Sequence, residues 1–356
     1  MKIWISSIVP ILLLTSVANA TENSKLNLVL DISGSMSPYT NNIAESVLKI
    51  KLHASKHPGL TENISLFSFT DQFEFLVEGD SKDIISSIKT VKSGSGVEDG
   101  LIAIDKIVAE PLISNTHIIL FTDEGRDVVK NIDLDELIRL AIEKNITIHS
   151  VLKTNSYCQS KKIIGVNRHF SGYSINRKWL NCSDSANIES LNKFIKNNNN
   201  DYIKLSLSTG GNVWSINSIF GHKKFSYINT SFKAVKLIKE SDARNDIAID
   251  SFSHFIASEL INSYERDLFV KVKILGELTV GNIITIDASN VVTKEGVEPI
   301  ELWEWDFNND GYIDDYSSVI NLELKEQGNK LITLWMTSQN QGKTIREKEE
   351  INLMVP

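Results

Sequence analysis

The feature that most constrains this fold is a mostly apolar run at residues 26–30 that ends in Asp31, Ser33 and Ser35. Such a run predicts a strand of a parallel sheet whose two faces are both covered by helices. The strand would deliver one carboxylate and two hydroxyls to a turn at its C-terminal end, where open α/β sheets bind their ligands. Oxygen ligands at this spacing suit a hard divalent cation such as Mg²⁺.

Two further segments belong to the same pattern. Residues 116–121 form a second apolar run, which ends in Thr122 and Asp123, and residues 94–101 form a Gly-rich turn that opens a helix. Together the three segments resemble the von Willebrand factor type A (vWA) domain and its metal-ion-dependent adhesion site (MIDAS). The resemblance implies an α/β fold with a doubly wound, mostly parallel sheet of the vWA or Rossmann-like kind.

The resemblance extends to other strands and to the ligand set. Residues 64–69 and 73–77 are similar to the second and third strands, of which the third is a short antiparallel edge strand, and Gly210 and Gly211 are similar to the turn before the sixth. The family's middle-loop ligand is a Thr, and no Thr stands in this loop of the chain. The implied ligands of Mg²⁺ or Mn²⁺ are Asp31, Ser33, Ser35, Ser95 and Asp123, with Ser93 and Glu98 as alternatives to Ser95.

The charge of this ligand set favours binding over catalysis. Only two carboxylates, Asp31 and Asp123, are expected close to the ion, so the ion keeps residual positive charge. Mg²⁺ prefers six oxygens, which leaves one position for a carboxylate of a partner protein. No His or Glu is obviously placed beside the site as a general base, so an enzyme is not expected. The alternative is that Ser33, Ser35 and Asp123 only cap helices.

Composition and the N-terminal segment narrow the class of protein. A hydrophobic fraction of 42% and a charged fraction of 23% are those of a globular protein. A net charge of −8 without a dense basic cluster argues against a nucleic-acid partner. Residues 1–20 have the pattern of a signal peptide, which predicts export to the periplasm, the cell surface or the medium. No transmembrane segment is expected in the mature chain.

Both cysteines lie in an insertion at about residues 152–200, between the predicted fifth and sixth strands. In an exported protein, Cys158 and Cys182 are expected to form a disulfide. A zinc site that joins them to His169 is the alternative. Whether the insertion is functional or decorative stays open.

The sequence pattern changes near residue 265. Residues 21–265 alternate helix and strand patterns and form the predicted vWA domain, whereas residues 266–356 alternate with period two, which is typical of a β-sandwich. Residues 280–289 and 303–307 resemble a polycystic kidney disease (PKD) type repeat. The second domain is therefore expected to be a small all-β sandwich of the PKD or Ig-like kind.

A second metal site is predicted in this domain. Residues 306–314 match the first nine positions of an EF-hand-type calcium loop. Ser317 stands where the usual bidentate glutamate would be, so Ca²⁺ affinity should be weak. An Asx-rich turn without metal is the alternative. The candidate Ca²⁺ ligands are Asp306, Asn308, Asp310, Tyr312 and Asp314.

Three functions remain in consideration. The first is an exported adhesion or recognition protein that binds an acidic residue of a protein ligand through the metal. The second is a structural subunit of a cell-envelope or surface assembly, in which the metal only stabilises the fold. The third, a metal-dependent hydrolase, is disfavoured because a nucleophile and a base are not evident. Ligand identity and oligomeric state do not follow from the sequence.

Overall fold

The structure is a computed structural model. It describes residues 25–57, 60, 64–70, 72–94, 96, 98–110, 116–128, 130–153, 156–158, 161–167, 171–181, 200–221, 232–270, 272–293 and 296–355. The predicted signal peptide, Ser95, His169 and Cys182 lie outside the described residues, as does the side chain of Cys158. The disulfide and its zinc alternative therefore stay predictions.

The N-terminal part alternates strands and helices, as predicted. Its strands are β1 (Lys25–Asp31), β2 (Ile64–Phe69), β3 (Phe73–Gly79), β4 (Thr116–Phe121), β5 (Ile146–Leu152), β6 (Ser156–Cys158), β7 (Lys161–Ile163), β8 (Gly165–Val166), β9 (Ser171–Tyr173), β10 (Trp179–Asn181) and β11 (Val213–Ser215). Its helices are α1 (Thr40–His53), α2 (Ser81–Thr90), α3 (Gly100–Ala109), α4 (Leu134–Glu143), α5 (Asn200–Ser208), α6 (Ile216–Ile219) and α7 (Phe232–Glu265).

One nine-stranded sheet organises this part, with the order β10-β9-β8-β11-β5-β4-β1-β2-β3. Strands β11, β5, β4, β1 and β2 are parallel, and β3 is an antiparallel edge strand. Leu28 of β1 faces a core that includes side chains of α1, α2 and α7, whereas Val29 faces a core with α3, α4 and α5. The doubly wound, mostly parallel α/β fold is therefore confirmed.

The turn before the sixth strand requires glycine. Gly210 has a φ of +81°, and a Cβ on Gly211 would lie 1.9 Å from the carbonyl oxygen of Ile148. The turn brings β11 against β5, where Trp214 pairs with Val151. The strand predicted from the Gly-Gly pattern is thus present.

The described part of the insertion extends the sheet. Strands β8, β9 and β10 add in antiparallel order to the edge at β11, and β6 and β7 form a separate two-stranded sheet. Tyr173 packs against Trp179, Trp214 and Phe255, with ring centroids 4.9 to 5.8 Å apart. These strands were not predicted, because segments of two or three residues carry no periodic signal.

The C-terminal part is all-β, as predicted. Its strands are β12 (Leu268–Val270), β13 (Lys273–Leu275), β14 (Ile283–Asp287), β15 (Val291–Thr293), β16 (Leu302–Asp306), β17 (Val319–Glu323), β18 (Gly328–Asn340) and β19 (Lys343–Val355). They form the antiparallel sheets β12-β15, β13-β14-β17 and β16-β18-β19 around a core of their own. Arg266, between α7 and β12, donates to Glu349 Oε2 at 2.8 Å. The domain boundaries themselves stay predictions.

No helix in the described part of the chain combines the length and the apolar character needed to cross a membrane.

Candidate metal centre

Asp31 is the buried centre of the site. Strands β1 and β4 are parallel neighbours, and Leu30 pairs with Phe121. The next residue of each strand end, Asp31 and Thr122, therefore lies beside the other. The Oδ2 atom of Asp31 accepts a hydrogen bond from Thr122 Oγ1 at 2.8 Å, and its Oδ1 atom accepts one from the Ser33 amide at 2.8 Å. Two strand ends therefore fix the orientation of this carboxylate.

The two serines join Asp31 to Asp123. The hydroxyls of Ser33 and Ser35 lie 2.8 Å apart, and Ser35 Oγ donates to Asp123 Oδ1 at 2.7 Å. Ser33 precedes the short 3₁₀ turn Gly34–Met36 but makes no side-chain capping bond, and α4 is capped by Asp133. The capping alternative is therefore wrong, and the four predicted residues converge at the C-terminal ends of β1 and β4.

Glu98 is a third carboxylate at this site, and two sequence-based expectations were therefore wrong. The Gly94 amide donates to Ile32 O at 2.8 Å, which holds the middle loop against the turn after β1. The Glu98 side chain then lies within hydrogen-bonding reach of Asp31 and Ser33, with the residue only 6% exposed. The site thus has more than two carboxylates, and a Glu does stand beside it. Ser93 is exposed.

Burial of the carboxylates dominates the electrostatics of the site, and like charge adds to it at Glu98. Burial and the neighbouring Asp31 carboxylate raise the pKa of Glu98 to about 8. Burial also raises the pKa of Asp31, against the opposing effect of its hydrogen bond from the Ser33 amide. The Oε2 atom of Glu98 is buried without a hydrogen-bond partner. A cation among these oxygens would satisfy the orphaned atom and offset the repulsion, so the residues present fit a divalent metal ion.

The fit depends on the serine hydroxyls. Among the described residues, no group of three or more His, Cys, Asp or Glu side chains is arranged to hold a metal ion. The hydroxyls of Ser33 and Ser35 add two oxygens to those of the acidic side chains, and Mg²⁺ accepts hydroxyl oxygens as ligands alongside carboxylates.

Lys153 was not predicted as part of the site. It follows the last residue of β5, and its Nζ atom lies 3.2 Å from Asp123 Oδ2. The hydrogen bond to Asp123 raises the pKa of Lys153. Nothing in the local sequence marks this lysine, because its place at the site depends on β5 lying beside β4 in the sheet.

Arg126 holds the middle loop in place through ion pairs with Asp99 and Asp201. Its Nε atom donates to Asp99 Oδ1 at 3.0 Å, and its Nη1 atom donates to Asp201 Oδ2 at 2.7 Å. Asp99 also accepts from the Leu101 amide at 3.2 Å, which caps α3. The loop after β4, the start of α3 and the start of α5 are thus joined by one guanidinium, and Glu98 is held in place next to Asp99.

The predicted calcium loop is closed by its own side chains. The buried Asp306 accepts hydrogen bonds from the amides of Asp310 and Gly311 at 3.2 and 2.9 Å. Asp310 Oδ1 accepts from the Tyr312 amide at 2.9 Å, and Asp314 Oδ2 accepts from the Phe307 amide at 2.7 Å. These are bonds of Asx turns, which occur with or without an ion. The calcium site at Asp306, Asn308, Asp310, Tyr312 and Asp314 stays a prediction.

Calcium should stabilise the chain if this loop binds it. Millimolar Ca²⁺ is expected to raise the Tm of metal-free protein carrying Asp31→Ala, a change that removes the first site from the measurement. Asp310→Asn in the same background keeps an oxygen for the Tyr312 amide and removes one charge, so the rise should shrink or vanish. A melting curve that Ca²⁺ does not move would contradict the calcium prediction.

Comparison with known proteins gives structural likenesses only. No protein-family model matches the sequence, and no curated protein matches it. Proximal thread matrix protein 1 from the mussel byssus, in a structure with a zinc-occupied MIDAS motif, is 14% identical over 37% of this chain, with a TM-score of 0.30. The match spans 36% of that chain, about a third of its length.

Two further solved structures are similar to parts of the chain. The vWF domain of the type V pili tip protein Mfa5 from Porphyromonas gingivalis is 17% identical over 29% of this chain and 38% of its own, with a TM-score of 0.25. The PKD1 domain of Vibrio anguillarum Epp is 15% identical over 26% of this chain and 98% of its own, with a TM-score of 0.19. The α/β fold of the N-terminal part is defined by the strand order of its sheet.

Proposed function

We propose that this chain is an exported, non-enzymatic recognition protein that binds an acidic protein ligand through a divalent cation. The cation, Mg²⁺ or Mn²⁺, would be held by Asp31, Ser33, Ser35 and Asp123, with Glu98 from the middle loop. The observation that carries the proposal is the hydrogen-bonded chain Asp31–Ser33–Ser35–Asp123 at two strand ends. The Glu98 side chain lies within reach of Asp31 and Ser33, and its Oε2 atom is buried without a partner. When bound, the ion supplies a positive centre that a ligand carboxylate can complete.

Glu98 favours a second candidate function. Three carboxylates around one divalent ion would remove the residual positive charge expected from two, and the ion would then attract an anionic ligand less strongly. In that case the metal would only stabilise the fold, and the chain would serve as a structural subunit of an envelope or surface assembly. The two functions differ in whether partner binding depends on the metal.

Metal binding is the first test. Calorimetry with Mg²⁺ and Mn²⁺ is expected to detect one strong site in the wild-type chain. Asp31→Ala should remove most of the affinity because a charged, buried ligand is lost. Ser33→Ala should reduce it less, since water can replace a neutral hydroxyl. Asp105→Ala, a change at an aspartate paired with Lys130 away from the site, is the matched control and should leave binding unaltered.

Partner binding separates the two functions. Wild type and Asp31→Ala would be immobilised and exposed to cell-envelope extracts in Mg²⁺ or in EDTA. Recognition through the metal predicts a partner that only the wild type retains, and only in Mg²⁺. Equal recovery of the same partner by wild type in EDTA and by Asp31→Ala would overturn the recognition function and leave the structural subunit as the better account.

A further inference from the structure

The ion pair of Lys153 gives the site a property that goes beyond its ligand set. We propose that Lys153 is a tethered cation that competes with the divalent ion for Asp123 and thereby sets the metal affinity of the site. The inference rests on the proposed function, because it assumes that Asp123 belongs to a metal centre. It concerns how tightly and under which conditions that centre binds its ion.

Both carboxylate oxygens of Asp123 have partners within the chain. Oδ1 accepts from Ser35 Oγ at 2.7 Å, and Oδ2 lies 3.2 Å from Lys153 Nζ. The Ser35 hydroxyl can turn its lone pairs to an ion and remain in the site as a ligand. An ammonium group has no lone pair to offer, so it cannot share a coordination shell and must move away.

Lys153 is free to make that movement. Its side chain is 52% exposed, whereas that of Asp123 is only 2% exposed. The ammonium ends a flexible four-carbon stem and is strongly hydrated, so its transfer to solvent costs little. Glu124, an exposed carboxylate that also acts electrostatically on Lys153, offers a second position close by. The ion pair therefore places a positive charge beside Asp123 on a side chain that can exchange this contact for solvent or Glu124.

The net charge of the three carboxylates Asp31, Glu98 and Asp123 depends on the Lys153 ion pair. Within the described part of the chain, Lys153–Asp123 is the one ion pair made by the candidate ligands Asp31, Glu98 and Asp123. The guanidinium of Arg126 is instead engaged with Asp99 and Asp201. Removal of the Lys153 charge should leave the cluster more negative and raise its affinity for a divalent ion, because opposite charges attract more strongly in partly buried sites.

Calorimetry with Mn²⁺ and Mg²⁺ alone tests the inference. Lys153→Met keeps the apolar stem and removes the charge, and it is expected to bind either ion roughly tenfold more tightly than wild type. Lys153→Arg keeps the charge and should bind close to wild type. Lys130→Met, a change at an exposed lysine paired with Asp105, is the matched control. Lys153→Gln serves in place of Lys153→Met if circular dichroism shows that the latter is not folded.

The outcomes separate this inference from the proposed function. Tighter binding by Lys153→Met than by wild type, or binding by the variant alone, supports the inference. Equal or weaker binding by the variant, with clear binding by wild type, overturns the inference and leaves the proposed function standing. Absence of binding by every folded protein overturns both.

Discussion

Arg126→Met is expected to lower the free energy of unfolding by roughly 3–5 kcal/mol, because it removes the guanidinium that pairs with the buried Asp99 carboxylate. The side chain of Asp99 is 1% exposed, and that of Arg126 is 8% exposed, so water cannot replace the lost guanidinium. Methionine keeps much of the apolar stem of arginine, which limits the contribution of lost packing. Urea denaturation followed by circular dichroism would measure the change.

Asp99→Asn supplies the matched control for this prediction. Asparagine keeps an oxygen for the Leu101 amide, so the cap of α3 is retained while the buried charge is removed. The double variant Asp99→Asn/Arg126→Met should therefore be less destabilised than Arg126→Met alone. A double variant that loses the sum of the two single losses would show that the buried charge is not the cause.

The central strands could be predicted because their environment is uniform. Strands β1 and β4 have neighbouring strands on both sides and helices on both faces, so most of their residues are apolar and the run ends where the sheet ends. The polar residues after each run then had to meet at one edge of the sheet. The strand end alone indicates Asp31, Ser33 and Ser35 as oxygen ligands, and the resemblance to the vWA domain adds Asp123 to the predicted set.

The sequence left Glu98 as one alternative for the middle-loop ligand and did not mark Lys153, because the positions of both depend on contacts that the local sequence does not encode. Glu98 reaches Asp31 because the Gly94 amide pairs with Ile32 O, and Lys153 reaches Asp123 because β5 lies beside β4. Neither contact is indicated by a repeating pattern of apolar and polar residues in the sequence.

Two buried histidines should make the fold sensitive to acid. His117 of β4 and His149 of β5 are stacked with ring centroids 5.9 Å apart and an interplanar angle of 7°. His149 Nδ1 accepts from the Asn212 amide at 3.1 Å, and His117 Nε2 lies 2.9 Å from Ser263 Oγ. Burial lowers the pKa of His117 to about 4, and burial together with His117 lowers that of His149 to about 3.

The sign of the pH dependence follows from these lowered values. A histidine in the unfolded chain has a pKa of about 6.5. Below that pH the two histidines therefore bind protons in the unfolded chain but not in the folded chain. The stabilisation is fully present above about pH 6.5 and is lost as the pH falls toward the folded-state pKa values. As the pH falls from about 6.5 to 5, each histidine should lower the free energy of unfolding by about 2 kcal/mol.

A double variant isolates this effect from the other titrating groups. The raised pKa values of Asp31 and Glu98 act in the opposite direction, because the folded chain then binds protons more readily than the unfolded one. His117→Gln/His149→Asn keeps polar atoms near the two bonded nitrogens and cannot take up a proton. Urea denaturation at pH 7 and pH 5 should give a loss about 4 kcal/mol smaller for this variant than for wild type. Equal losses for the two proteins would exclude the histidine pair as the source of acid sensitivity.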